Sequence, residues 1–308
     1  MAVNNLQQDL YVPVTADDTL RIKRIYREGA GAPVLMVHGA MANGRIFYSS
    51  SGKGLAHYLA RAGYDVFVLD LRGRGGSTPR IDARARHGQT ESIRDDIPAA
   101  HRAIRAIKGQ VPVHWMGHSW GGVLMHSALL RAPALIDDVA SCVYFASKRS
   151  VRVRNLQRYL KVDLFWNYLA RAIVSVVGYL PSRAMGLGPD NESAASHGHS
   201  NRWVQDDRWV DPVDGYDYGA AAARHTLPPT LYFAAADDPC LGHRDDVRRF
   251  RDESGPHLSR LHLLGRETGY RHDYDHASLL THPDAVEEHF LLVLHWLAGR
   301  HDQVAENL

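Results

Sequence analysis

Short, unbroken apolar runs alternate along this chain with stretches whose apolar residues recur every three or four positions. PVLMVHG (33–39), YDVFVLDLRG (64–73), VPVHWMG (111–117), VASCVYFAS (139–147), TLYFAAADD (230–238) and SRLHLLG (259–265) are of the first kind. Runs this short predict strands buried on both faces. TLRIKRIY (19–26) alternates apolar with polar residues and predicts an antiparallel strand. Helical spacing predicts helices over 52–63, 92–109, 120–132, 243–253 and 284–299. Strands alternating with helices of this length make βαβ units. The expected fold class is α/β: a mostly parallel central sheet whose right-handed crossovers place helices on both faces.

The rhythm fails between about 148 and 228. KRSVRVRNLQRYLK (148–161) carries six positive charges and no negative one. VDLFWNYLARAIVSVVGYL (162–180) follows, with Leu164, Phe165, Tyr168, Leu169, Ile173, Val176, Val177 and Leu180 at helical spacing. So long a connection does not fit between two strands of one compact domain. It predicts a helical cap or lid over 148–228, inserted into a core domain made of 1–147 and 229–308. Mobile lid and fixed cap both fit the pattern. The basic stretch reads either as a solvated helix face or as attraction to an anionic head group or membrane surface. Trp166, Trp203 and Trp209 suit the lining of an acyl pocket or internal packing equally.

Composition narrows the partners. Of 308 residues, 36 are Lys or Arg and 34 Asp or Glu, and the net charge of +2 makes no case for nucleic acid. Hydrophobic and charged fractions of 45% and 23% fit a folded globular chain and exclude a disordered, collagenous or coiled-coil one. Cys142 and Cys240 are too few for a disulfide framework and have no zinc spacing. The start, MAVNNLQQDLYVPV, lacks a signal-peptide pattern. The nearest thing to a membrane span, 164–180, is interrupted by Arg171. The expectation is a soluble cytoplasmic protein without an integral span, with peripheral membrane contact left open and no assigned oligomeric state.

GHSWG (117–121) fits G-x-S-x-G directly after a buried strand and before a helix, the context a nucleophile elbow requires. The sharp turn strains Ser119, and Gly117, Gly121 and Gly122 leave its hydroxyl room to project. A serine hydroxyl is a weak nucleophile that needs a histidine base, which in turn needs an orienting acid. On such a sheet the chain order is Ser, acid, His. Asp238 closes a downstream strand and is the chosen acid, with Asp237 as the alternative. His276, in the loop HDYDHASLL (272–280) before the final helix, is the chosen base, with His272 second. An oxyanion needs two backbone donors: the Trp120 amide, and one from HGAMANG (38–44), either Ala40 or, as the alternative, Met41.

Together these segments resemble α/β-hydrolase-fold serine hydrolases of the esterase and lipase type. HGAMANGRIF (38–47) resembles the family's oxyanion loop, and LDLRGRGGS (69–77) its D-x-R-G-x-G-x-S turn. GHSWGG (117–122) resembles the elbow, ADDP (236–239) the acid loop and DHASLL (275–280) the histidine segment. All stand in family order over about 30–147 and 228–300. The acid strand departs from the pattern, ending in AAADD rather than G-x-x-D. Within the insertion only MGLGPD (185–190) looks similar to other hydrolases of the superfamily. The resemblance implies cleavage of a carboxylic ester, small or lipid-like with an apolar acyl part, through an acyl-enzyme. It implies no metal and no organic cofactor. The same triad serves thioesterases, acyltransferases and peptidases, and a non-catalytic binding or sensor protein is the rival class. Asp70 and Arg72 are assigned to turn geometry and packing.

Nineteen histidines invite a metal, yet they show no ligand spacing. His197 and His199 read as part of a solvated loop, His38 and His118 as structural. Only His276 is expected to exchange protons.

Overall fold

A computed structural model of the protein describes residues 5–308, so residues 1–4 of the segment lacking a signal-peptide pattern lie outside the described residues. Eight strands form one sheet: β1 (Leu6–Pro13), β2 (Thr19–Tyr26), β3 (Pro33–Val37), β4 (Asp65–Asp70), β5 (Val113–His118), β6 (Val139–Phe145), β7 (Thr230–Ala235) and β8 (Ser259–Leu264). Their spatial order is β1-β2-β4-β3-β5-β6-β7-β8. The β1–β2 and β2–β4 pairs are antiparallel and all other neighbours parallel, as the apolar pattern predicts. Strand β1 is the element that pattern does not announce. It is a largely exposed edge strand, so no buried run betrays it.

Side chains leave each strand on alternate faces. Leu35, Val37, Phe67, Leu69, Trp115, Cys142 and Tyr144 pack on one side, against α2 (Ile97–Lys108), α3 (Trp120–Arg131) and α6 (Arg244–Glu253). Val34, Met36, Val66, Val68, Met116, Val143 and Phe145 pack on the other, against α1 (Leu55–Arg61) and α7 (His289–Leu297). The helix expected over 284–299 is broken. A short turn, Pro283–Val286, precedes α7, and Glu288 between them leaves helical geometry at φ −117°, ψ −108°. Its carboxylate accepts from the Arg271 amide at 2.9 Å and from the Tyr274 hydroxyl.

The chain between β6 and β7 leaves the sheet, although the two strands pair directly. It holds a helix, α4, over 156–177, whose middle, Tyr159–Leu169, is wound in the wider π form, and a second helix, α5 (Ala194–Gln205). His197 and His199 therefore lie on a helix, not in a solvated loop. His197 is buried, with Nε2 3.1 Å from the Trp166 carbonyl. The basic stretch is not a continuous solvated face either. Arg149 is buried, paired with Glu253 at 2.7 Å and bonded to the Trp203, Asp206 and Asp207 carbonyls. Arg152 pairs with Asp207, and Arg158 with Asp163. The apolar stripe of α4 points largely outward, with Leu156, Tyr159, Tyr168, Leu169 and Val176 exposed. No helix among the described residues is long and apolar enough to cross a membrane.

Candidate active site

Strand β5 ends at His118 and α3 begins at Trp120, leaving Ser119 alone at the corner with φ 52°, ψ −123°. That region is costly for a residue with a Cβ and persists only when the surroundings enforce it. Here the Ser119 amide donates to the Phe145 carbonyl at 2.8 Å, and the Ser119 carbonyl accepts from the Gly122 amide at 3.2 Å. Glycine is what the close approach demands: a Cβ on Gly117 would stand 2.4 Å from Gly122 Cα. Gly39 belongs with them, since a Cβ there would meet Ser119 Cβ at 2.9 Å.

The loop after β3 is tied down from three directions. His38 Nε2 accepts from the Leu71 amide at 3.1 Å, so its proton sits on Nδ1 and is donated to the Gly39 carbonyl at 2.8 Å. Burial, helped by Arg74, pushes His38 down to about 4, which keeps the ring neutral. Asp70 accepts from the Gly44 and Gly76 amides at 2.8 and 2.9 Å, the turn-setting role read from its motif. The third tie comes from the chain between β6 and β7. Glu192 accepts the Met41 amide at 2.9 Å and pairs with Arg74 through its other oxygen. Asp190 accepts from Asn43 Nδ2 and the Gly75 amide, and Gly188 packs so close that a Cβ would meet the Met41 carbonyl at 2.3 Å. Met41, the alternative oxyanion donor, thus spends its N–H on Glu192. Ala40 and Trp120 line the cavity beside Ser119, and Trp120 is in the first turn of α3, where amides have no helical acceptor.

The two acids differ sharply. Asp238 is buried and its Oδ2 lies 2.6 Å from His276 Nδ1, while Oδ1 accepts the Leu241 amide at 2.8 Å. Asp237 is exposed and bonds the Tyr274 carbonyl through its amide. Burial alone would raise the Asp238 carboxyl. The His276 hydrogen bond and charge, the Lys148 charge and the Leu241 amide overcome that and hold it below the usual carboxylate range. A carboxylate at Nδ1 keeps the proton there and leaves His276 Nε2 as the free base. His272 is engaged elsewhere, its Nε2 2.7 Å from Asp284 Oδ2 and its ring tilted against that of His282, centroids 4.3 Å apart. His272, His282 and Asp284 form the group among the described residues whose ligand atoms approach one another closely enough for a metal, within 4.8 Å.

His118 has a role its sequence position does not reveal. Its Nε2–H donates to the His276 carbonyl at 2.8 Å, and the two rings lie 4.9 Å apart. Burial, with the neighbouring His276, pushes His118 down to about 3, so it stays a neutral prop under the His276 backbone.

Ser119, His276, Ala40 and Trp120 line a cavity of about 590 Å³. Val162, Phe165, Trp166 and Leu187 wall its other side. The three tryptophans divide. Trp166 faces the cavity, whereas Trp203 and Trp209 pack internally with Trp120 and Tyr218. Lys148 and Lys161 also line it, and neither is signalled by any motif.

Residues 32–264 match the model of the alpha/beta hydrolase fold family. No curated protein sequence matches the chain. Among solved structures, it is similar to a thermophilic esterase from Thermogutta terrifontis, with 16% identity, TM-score 0.59, and 96% of this chain and 99% of that one covered. It is also similar to the carboxylesterase CesB of Bacillus subtilis, at 15% identity and TM-score 0.59, covering 96% and 92%. An esterase of Pyrococcus furiosus matches at 13% identity and TM-score 0.58, covering 96% and 93%. With a sheet of this order and a family match over most of its length, the chain belongs to the α/β-hydrolase fold family.

Proposed function

We propose that the protein is a serine hydrolase that cleaves a carboxylic ester through an acyl-enzyme. The observation that carries this reading is the Asp238–His276 pair, 2.6 Å apart, opening on the same cavity as the strained Ser119. Ser119 Oγ attacks the ester carbonyl while His276 Nε2 takes its proton. Asp238 holds the imidazole and offsets the charge it gains. The Ala40 and Trp120 amides stabilise the tetrahedral oxyanion, a contribution of about 10²–10³ in turnover per donor. His276 then protonates the departing alcohol. Water, deprotonated by the same histidine, attacks the acyl-enzyme, and the acid is released as Ser119 Oγ departs and takes that proton back from His276. Val162, Phe165 and Leu187 favour an apolar acyl part.

On this reading the chain over 148–228 is a cap that closes the cavity. Its outward Leu156, Tyr159, Tyr168 and Val176 suit peripheral contact with an apolar interface. Cys142 and Cys240, both free and buried, suit a cytoplasmic setting. A fluorophosphonate should label Ser119 in the folded protein, and Ser119→Ala should abolish labelling and lower ester turnover by about six orders of magnitude. An unlabelled serine would sink the proposal in favour of a binding protein on a hydrolase scaffold.

A further inference from the structure

Lys148 stands out among the cations of the basic stretch. Arg149, Arg152 and Arg158 each have a carboxylate partner, whereas Lys148 makes no hydrogen bond or ion pair among the described residues, although it is only 6% exposed. A buried, unpaired ammonium is expensive, and burial accordingly pushes this one below the ordinary lysine range. Two carboxylates act on it electrostatically, and both are already committed. Asp238 serves His276 and the Leu241 amide, and Asp246 accepts the Arg152 and Val153 amides. Lys148 lines the same cavity as Ser119 and His276, where Val162, Phe165 and Leu187 offer it nothing polar. Lys161 lines that cavity too and is itself exposed.

A cation with donors to spare, in a largely apolar cavity beside a nucleophile, is complementary to an anion. Resting on the esterase reading, we propose that the ester cleaved here carries a negatively charged, carboxylate-like group, which Lys148 binds while Lys161 draws it in from solvent. The cavity volume of about 590 Å³ suits a small ester of this kind. The charge can sit on the acyl or on the alcohol side, and the test separates the two.

The experiment compares kcat/KM for matched pairs of esters. In one pair a carboxylate replaces the terminal methyl of the acyl chain, as in aryl monoesters of dicarboxylic acids against plain acyl esters. In the other the carboxylate is on the alcohol. In the wild-type protein at least one charged ester should outrun its neutral partner. In Lys148→Met the charged-to-neutral ratio for that pair should fall about 10–100-fold, the worth of a lost charge-assisted hydrogen bond. Neutral esters preferred in both pairs, or an unchanged ratio in Lys148→Met, would overturn the assignment. So would an equal loss on both members of a pair, which would make Lys148 a support for Asp238 alone. Should Lys148→Met fail to fold, glutarate should still protect wild-type Ser119 from fluorophosphonate better than uncharged glutaramide does, and equal protection would count against the proposal. Ser119 labelled but without charge preference defeats only this inference. Unlabelled Ser119 defeats the hydrolase reading as well.

Discussion

Asp237 and Asp238 are neighbours of identical chemistry, yet the turn after β7 exposes one and buries the other against His276. Asp238→Asn should therefore lower kcat by about 10⁴, because the amide presents the wrong hydrogen-bonding pattern to the imidazole. Asp237→Asn should leave ester turnover within about twofold of wild type, as surface changes usually do. Steady-state kinetics on one neutral ester decides, and a reversed order would move the acid role to Asp237. The sequence narrows the acid to this pair but leaves both standing, since the rotation of a turn is not written in residue identity. Ser119 and His276 could be named as candidates because short motifs surround them. His118 under His276 was not, because its partner is 158 positions away. Lys148 was hidden for a related reason: a run of six like charges reads as a solvated face or an anion-attracting surface, and only three-dimensional packing reveals which of them is buried without an anion.

At the scale of elements, the elbow is a packing problem solved by glycine. A methyl group on Gly117 would intrude on Gly122 Cα at 2.4 Å, backbone against backbone, with no flexible side chain to give way. Gly117→Ala should cost about 3 kcal/mol of stability in urea or thermal unfolding, in line with overpacking of a tight core. It should also slow fluorophosphonate labelling, because relief of the clash moves Ser119. Unchanged stability would mean that β5 and α3 are less tightly joined than the geometry requires. The buried strands β3 to β7 were readable from sequence because sheet interiors demand continuous apolar runs. The edge strand β1, the break at Glu288 and the helical setting of His197 were not. Each depends on a partner elsewhere: β2 for the strand, Arg271 and Tyr274 for the break, Trp166 for the histidine.

For the whole molecule, the histidines become a statement about acid. His38, His101, His114, His262 and His289 are buried and pushed down to about 4, and His118 to about 3, chiefly by desolvation. In the unfolded chain each takes up a proton near pH 6.5, while the native state takes none until about 4. Between those values the unfolded state binds more protons, so stability falls as pH falls. Each histidine removes about 1 kcal/mol between pH 7 and 5.5, and six together rival the stability of a typical domain. Asp96, raised to about 6 by burial, opposes the trend, as do Asp246 and Glu253, which burial also raises, but these carboxylates are fewer than the histidines. Urea midpoints should drop steeply from pH 7 to 5.5, and equal midpoints would contradict the burial of these rings.

The carboxylates of Asp190 and Glu192 reach from the chain between β6 and β7 to the loop that holds Ala40. That stitching limits how the protein can be re-engineered or diversify. Exchanging the segment for one from a relative would not simply retune which esters are admitted, because the graft must also carry acids able to grip Met41 and Asn43. Selectivity and competence are inherited together, so variation should reach this region through point changes in the cavity wall more readily than through wholesale replacement.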